Sequence, residues 1–146
     1  MNLRGNCPAK VDEKGRLKVP AGYLESLKEY GPQFYITSVT GESARIYPMK
    51  VWNEIEDKLS KVSSQNRAKR KFLMRTSYFG QTVELDGQGR LLLPAVLREA
   101  AQTKGDVDVF GSLDHLEVMN HTRVLDEMQK DPFTDDDFKA LEELGI

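Results

Sequence analysis

A short segment occurs twice in this chain. Val11-Asp-Glu-Lys-Gly-Arg-Leu-Lys-Val-Pro-Ala-Gly-Tyr-Leu-Glu25 aligns with Leu85-Asp-Gly-Gln-Gly-Arg-Leu-Leu-Leu-Pro-Ala-Val-Leu-Arg-Glu99 at an offset of 74 residues, and seven of the fifteen positions are identical. Unrelated segments of that length match at about one position. The chain is therefore a duplication. Any fold it adopts must build two copies of one small unit and bury the apolar faces of both.

Each copy reads as strand, turn, strand, helix. Residues 8–11 and 81–85 have strand character. Asp-x-x-Gly supplies the turn, at Asp12 and Gly15 and again at Asp86 and Gly89. The aspartate can cap backbone N–H groups, and glycine accepts a left-handed conformation. Residues 16–19 and 90–93 return as strands. In the first copy Leu17 and Val19 alternate with Arg16 and Lys18, giving one apolar and one cationic face. Leu92 breaks that alternation in the second copy. Pro20 and Pro94 suit the first turn of a helix. These helices are expected to run to about Tyr30 and Lys104, where Gly31 and Gly105 supply stops. A second pair of strands follows in each copy, at 33–39 and 44–47, then at 107–111 and 116–119. Each unit is thus ββαββ.

Such a unit is too small to bury a good core alone. Two copies within 146 residues can interleave their strands into one barrel, which also protects the strand edges. The expectation is an α+β fold, mainly β with short helices. Repeat 1 spans residues 5–50, a helical connector 51–78, repeat 2 79–122 and an acidic helical tail 123–146. In the connector, Trp52, Ile55, Leu59 and Val62 recur at helical spacing. A second helical stretch, 67–77, is expected to bury Ala68, Phe72 and Leu73 and to show its bases to solvent. In the tail, Thr134 caps a helix with three aspartates in its first turn. Phe138, Leu141 and Leu144 form an apolar stripe along it. That stripe needs a surface, in this chain or in a neighbour.

The net charge of -2 argues against a simple basic DNA-binding domain, but the charges are unevenly spread. Residues 126–146 carry a net -6, and the preceding 125 residues a net +4. Residues 58–75 hold seven Lys or Arg and no acid. Such asymmetry suits nucleic-acid contact, although a solvated helix face explains the run at 58–75 more simply. One cysteine, Cys7, cannot form an internal disulfide, which fits a reducing compartment. No apolar run is long enough to cross a membrane, and residues 1–20 lack a secretory pattern. A cytoplasmic protein is expected.

Asp12-Glu-Lys-Gly-Arg16 and Asp86-Gly-Gln-Gly-Arg90 together, at this spacing, resemble the paired Asp-x-x-x-Arg signature of the MraZ family. Arg4-Gly5, Tyr47-Pro48 followed by Trp52, and Arg90-Leu-Leu-Leu-Pro94 are similar too. The resemblance covers essentially the whole chain and weakens after about residue 125. It implies a swapped-hairpin, AbrB-like, pseudo-dimeric β-barrel. It also implies a transcriptional regulator of the bacterial cell-division and cell-wall gene cluster, including its own promoter. Such a regulator binds short repeated boxes in double-stranded DNA, forms a ring-shaped homo-oligomer and associates with the nucleoid.

Arg16 and Arg90 are the leading candidates for reading DNA. A guanidinium binds guanine O6 and N7 with two parallel bonds in the major groove. The alternative is that Asp12–Arg16 and Asp86–Arg90 are ion pairs that lock each hairpin. The two roles are compatible, because each aspartate can orient its arginine. Lys10, Lys14 and Lys18 surround the first turn and are candidate phosphate contacts. The second copy has Glu84, Gln88 and Leu92 there, so its turn is expected to hold phosphate more weakly. His115, Glu117 and His121 lack further ligands for a metal site. Cys7 lacks a histidine motif for nucleophilic catalysis. There is no phosphate-binding glycine loop, nucleophile elbow or HExxH motif. No enzyme activity, cofactor, small-molecule substrate or membrane partner is expected. The rival readings are a protein-binding barrel, as in some AbrB-like antitoxins, and a hydrolase using paired aspartates. The second is weakened because each repeated aspartate lies beside an arginine.

Overall fold

The structure is a computed structural model and describes residues 2–146. Eight antiparallel strands curl into a nearly closed barrel. The first repeat contributes β1 (Asn6–Val11), β2 (Arg16–Lys18), α1 (Ala21–Lys28), β3 (Gln33–Thr37) and β4 (Ala44–Pro48). The connector is α2 (Met49–Ser60) and α3 (Arg67–Tyr78). The second repeat contributes β5 (Gln81–Glu84), β6 (Arg90–Leu92), α4 (Ala95–Ala101), β7 (Gly105–Gly111) and β8 (Leu116–Asn120). After a 3-10 turn at His121–Arg123 come α5 (Val124–Lys130) and α6 (Asp135–Glu143). The expected fold class holds: two ββαββ units form one pseudo-dimeric barrel.

The strand order β5-β3-β4-β8-β7-β1-β2-β6 interleaves the repeats. Strand β1 lies on β7 of the other repeat, from Asn6 opposite Phe110 to Val11 opposite Gly105. Reciprocally, β5 lies on β3, with Gln33 opposite Glu84 and Ile36 opposite Gln81. Each hairpin is therefore completed by the other repeat. The repeats meet at two pseudo-twofold crossings. In one, Leu17 of β2 is opposite Leu91 of β6. In the other, Arg45 of β4 is opposite Glu117 of β8. At the first crossing Val19 N donates to Gly89 O at 3.0 Å and Leu93 N donates to Gly15 O at 2.9 Å. Each turn thus accepts a hydrogen bond from the other copy's strand.

Alternation places the core. Leu17, Val19, Leu91 and Leu93 point inward and join Phe34, Ile36, Ile46, Val109, Leu116 and Val118, all essentially buried. Full burial of a leucine stabilises the fold by about 1.5–3 kcal/mol, so the crossing leucines anchor both repeats at once. Tyr23 ties α1 to the start of β1, its hydroxyl donating to Gly5 O at 2.6 Å. A smaller cluster of Tyr47, Val51 and Trp52, with Tyr35, Ile55 and Phe72 against it, holds the connector. Tyr35 stacks on Trp52 at 4.6 Å.

Several local expectations change. Pro20 and Pro94 stand at the N-cap position, with the helices beginning one residue later. The second helix stops at Gln102 in a left-handed conformation (φ 54°) rather than at Gly105, which already opens β7. In α3 only Phe72 of the expected trio is partly covered, while Ala68 and Leu73 are exposed and Thr76 is the buried residue. The reason is packing: α3 leans on α2 through Phe72 and on β3 through the backbone, Thr37 Oγ1 and Tyr35 Oη donating to Thr76 O at 2.7 and 2.9 Å. Val62 lies beyond α2 and is exposed. Thr134 caps α6 with a reciprocal bond pattern to Asp137. Phe138 and Leu144 are exposed and Leu141 is half-buried, so the described residues leave most of the tail's stripe uncovered.

Candidate nucleic-acid interface

The two repeated turns have the same internal wiring. Asp12 Oδ1 accepts from the N–H groups of Lys14 (3.0 Å) and Arg16 (2.9 Å). Its Oδ2 accepts from Arg16 Nε at 2.8 Å. In the second copy Asp86 Oδ1 accepts from Gln88 N (2.8 Å) and Arg90 N (2.9 Å), and Oδ2 from Arg90 Nε (3.0 Å). Gly15 and Gly89 close the turns at φ 85° and 74°, the left-handed region that glycine enters freely. The backbone N–H of Arg16 and Arg90, ahead of the other bonds, holds Asp12 and Asp86 below the ordinary carboxylate range. Both carboxylates are therefore ionised at neutral pH. Because folding lowers their pKa, the stabilisation is present above the ordinary carboxylate range and is lost as pH falls through the lowered value.

Each aspartate takes only the Nε edge of its arginine. Among the described residues the terminal guanidinium nitrogens of Arg16 and Arg90 have no protein partner. An oriented cation with its outer edge free can offer a planar two-pronged donor to a guanine edge or a phosphate. Exposed ion pairs of this kind add little stability, so orientation is the more consequential product of the pairing.

The swap brings the two arginines onto one surface. In the β2–β6 ribbon Arg16 is opposite Leu92, and Lys18 is opposite Arg90. Their partners Leu17 and Leu91 point inward, so all four face outward. Two steps along and one strand across place the arginine Cα atoms about 8 Å apart. The β1–β2 register, with Val11 opposite Leu17, continues to place Lys10 opposite Lys18. The Asp86 N to Arg90 O bond closes the second hairpin, where Glu84 and Leu92 hold the positions that match Lys10 and Lys18 of the first. The outer face therefore carries one cationic row, Lys10–Lys18–Arg90, beside the pair Leu92–Arg16. Lys14 stays in the first turn, on the Arg16 side. Sequence order groups Lys10 and Lys18 with Arg16, whereas the pairing delivers them to Arg90.

Arg98 is a residue the sequence reading missed. Its guanidinium lies directly beneath Gly15, and its Nε donates to Leu93 O at 3.0 Å. A Cβ on Gly15 would stand 2.2 Å from Arg98 Cζ. The matching contact in the second copy is Leu24 beneath Gly89, where a Cβ would stand 3.1 Å from a methyl carbon. Arg98 and Leu24 occupy the same repeat position, so the departure of the two copies there was the available signal. Gly15→Ala is expected to destabilise the fold more than Gly89→Ala. Both lose about 1–2 kcal/mol to the left-handed backbone, and Gly15→Ala must also displace Arg98. Urea unfolding of the two variants measures the difference.

The remaining candidates have structural partners. His115 stacks on Tyr47 at 4.6 Å and its Nδ1 is 2.9 Å from Asp114. His121 Nδ1 is 2.6 Å from the buried Asp108. Among the described residues no three His, Cys, Asp or Glu side chains are placed to hold a metal ion. Cys7 is half-buried against the barrel core. No described helix is long and apolar enough to cross a membrane.

Comparison with known proteins matches the sequence to a family. The family model described as "MraZ protein, putative antitoxin-like" matches residues 3–75 and 80–143. A protein of Acidobacterium capsulatum named "Transcriptional regulator MraZ" is 51% identical over 145 residues, 99% of each chain. Proteins of the same name from Koribacter versatilis and Tolumonas auensis are 46% and 35% identical. They align over 99% and 97% of this chain and 99% and 91% of their own lengths.

Proposed function

The chain belongs to the MraZ family, and on that ground we propose that it is a transcriptional regulator which binds double-stranded promoter DNA through the outer face of the β2–β6 ribbon. The observation that carries this reading is the placement of Arg16 and Arg90 on one exposed ribbon face, each fixed by an aspartate with its outer edge free. A two-stranded ribbon fits the major groove, and Arg is the commonest specific partner of guanine there. Asp12, Asp86, Gly15 and Gly89 orient the arginines, while Lys10, Lys14 and Lys18 contact phosphates. The family resemblance supports the finer reading. The target is repeated short boxes upstream of a cell-division and cell-wall gene cluster that includes the protein's own gene. The protein acts there as a ring-shaped oligomer on the nucleoid. It is a binding protein rather than an enzyme.

Footprinting of the region upstream of the protein's own gene tests this reading. Protected short repeats are expected, and a uniform ladder without protection at any protein concentration contradicts it.

The lysines separate phosphate from base contacts. Lys18→Ala is expected to weaken binding to cognate and scrambled DNA alike. It is also expected to lower the slope of log affinity against log salt by about one. Titration at two salt concentrations reads both effects.

A further inference from the structure

We propose that the acidic C-terminal helix α6 of one molecule docks on the basic face of α3, beside the apolar surface of α4, of a second copy of this chain. This rests on the oligomer reading above and assigns the two surfaces that would make it. On α3, Arg67, Lys71, Met74 and Tyr78 follow one another at intervals of four, three and four residues, which is one face of a helix. Met74 and Tyr78 are 73% and 68% exposed. Three shallow depressions follow one another, between Arg67, Arg70, Lys71 and Met74, then along Met74, Arg75 and Tyr78, then over Val96, Glu99 and Ala100 of α4. Exposed apolar side chains flanked by bases on α3 are left open to solvent, with Glu99 at the α4 end.

The tail is its chemical complement. Helix α6 carries Asp135, Asp136 and Asp137 in its first turn and Glu142 and Glu143 in its last. Between them Phe138 is 58% exposed, and Leu144 follows at 75%. Phe133 packs edge-on against Phe138 at 4.7 Å, which stiffens the helix entrance. An amphipathic helix laid in an apolar groove is a common recognition mode, and opposite charge along the rim fixes its direction. The described residues cover this stripe only in part: Leu141 is half-buried, but Phe138 and Leu144 stay exposed and no residue of α6 is buried. Donor helix and acceptor groove are different patches, so the contact is head-to-tail. Repetition of such a contact closes a ring or extends a filament.

Sedimentation of the full chain without DNA tests the assignment. Wild type is expected at several times the 16.6 kDa chain mass. Met74→Asp breaks the groove and Phe138→Asp breaks the donor helix, so each alone is expected at one chain mass. Mixed in equal amounts, they are expected to give a species of two chain masses and nothing larger, since one good helix then meets one good groove. Both substituted side chains are exposed, and circular dichroism is expected to be unchanged. The double charge reversal Arg70→Glu with Lys71→Glu repeats the test without altering the exposed apolar side chains, and is also expected at one chain mass. If wild type is oligomeric and all these variants stay assembled, these surfaces are wrong while the oligomer reading stands. A mixture that stays monomeric, or that rebuilds the full oligomer, overturns the head-to-tail contact. A wild-type monomer overturns both ideas. The ribbon's role is decided separately, by DNA titration.

Discussion

A promoter fragment with three boxes is expected to bind this protein on the order of 10²–10⁴ times more tightly than a fragment with one box. One β2–β6 ribbon presents two arginines about 8 Å apart, enough to read only a few base pairs. A single engagement is therefore weak. In an oligomer, later ribbons bind intramolecularly at a high effective concentration, and affinity rises without any new kind of contact. Boxes must then lie on one face of the duplex, at spacings near one helical turn of about 10 bp. Inserting about 5 bp between boxes moves the next box to the opposite face and is expected to remove most of the gain. Titration of fragments with one, two and three boxes reads this directly. Equal affinity for one and three boxes contradicts the multivalent mechanism, whatever the ribbon contacts.

Replacing an arginine by lysine is expected to cost about 1–3 kcal/mol of discrimination per contact, roughly 5–150-fold, compounded across protomers. Lysine keeps the positive charge and loses the planar fork. Arg16→Lys and Arg90→Lys should thus retain salt-sensitive, sequence-independent binding while the preference for the cognate box flattens. Both variants keep Lys10, Lys14 and Lys18, so their nonspecific binding should be alike. Folding should survive both changes, because both side chains face outward and the inward leucines are untouched. Unfolding of either variant would instead assign the Asp–Arg pairs the role of hairpin locks. A variant that stays folded and keeps the wild-type preference would remove that arginine from recognition.

Local chemistry explains what the sequence disclosed. Asp-x-x-Gly-Arg encodes a turn, a capped aspartate and an oriented arginine within five residues, so both turns and their ion pairs were legible. The alternation of Leu17 and Val19 with Arg16 and Lys18 marks the inward face of β2 correctly. Swapping is a property of long-range register, and no short window carries it. The assignment of Lys18 to Arg90 rather than Arg16 therefore emerged only from β2–β6 pairing. Arg98 was hidden for the same reason, since it reaches back beneath a turn more than eighty residues earlier in the chain. Ala68 and Leu73 were misplaced because a helix rich in bases leaves its buried phase weakly marked. There the decisive contact is a backbone carbonyl at Thr76, which composition does not report. Thr134 and its aspartates specified α6 correctly, but a stripe on a terminal helix does not name its own partner.

The central claim is that ribbon arginines contact guanine edges, and the most direct test is a double-mutant cycle between protein and DNA. Once footprinting defines a box, each guanine in turn is replaced by 7-deazaguanine, which lacks the N7 acceptor. Binding is then titrated with wild type, Arg16→Ala and Arg90→Ala. Wild type is expected to lose affinity at one guanine for each arginine. The alanine variant of the arginine that reads a given guanine should be indifferent to its replacement, while the other variant stays sensitive. Wild-type affinity unchanged by every deaza substitution, or the same loss in wild type and both alanine variants, would contradict the account.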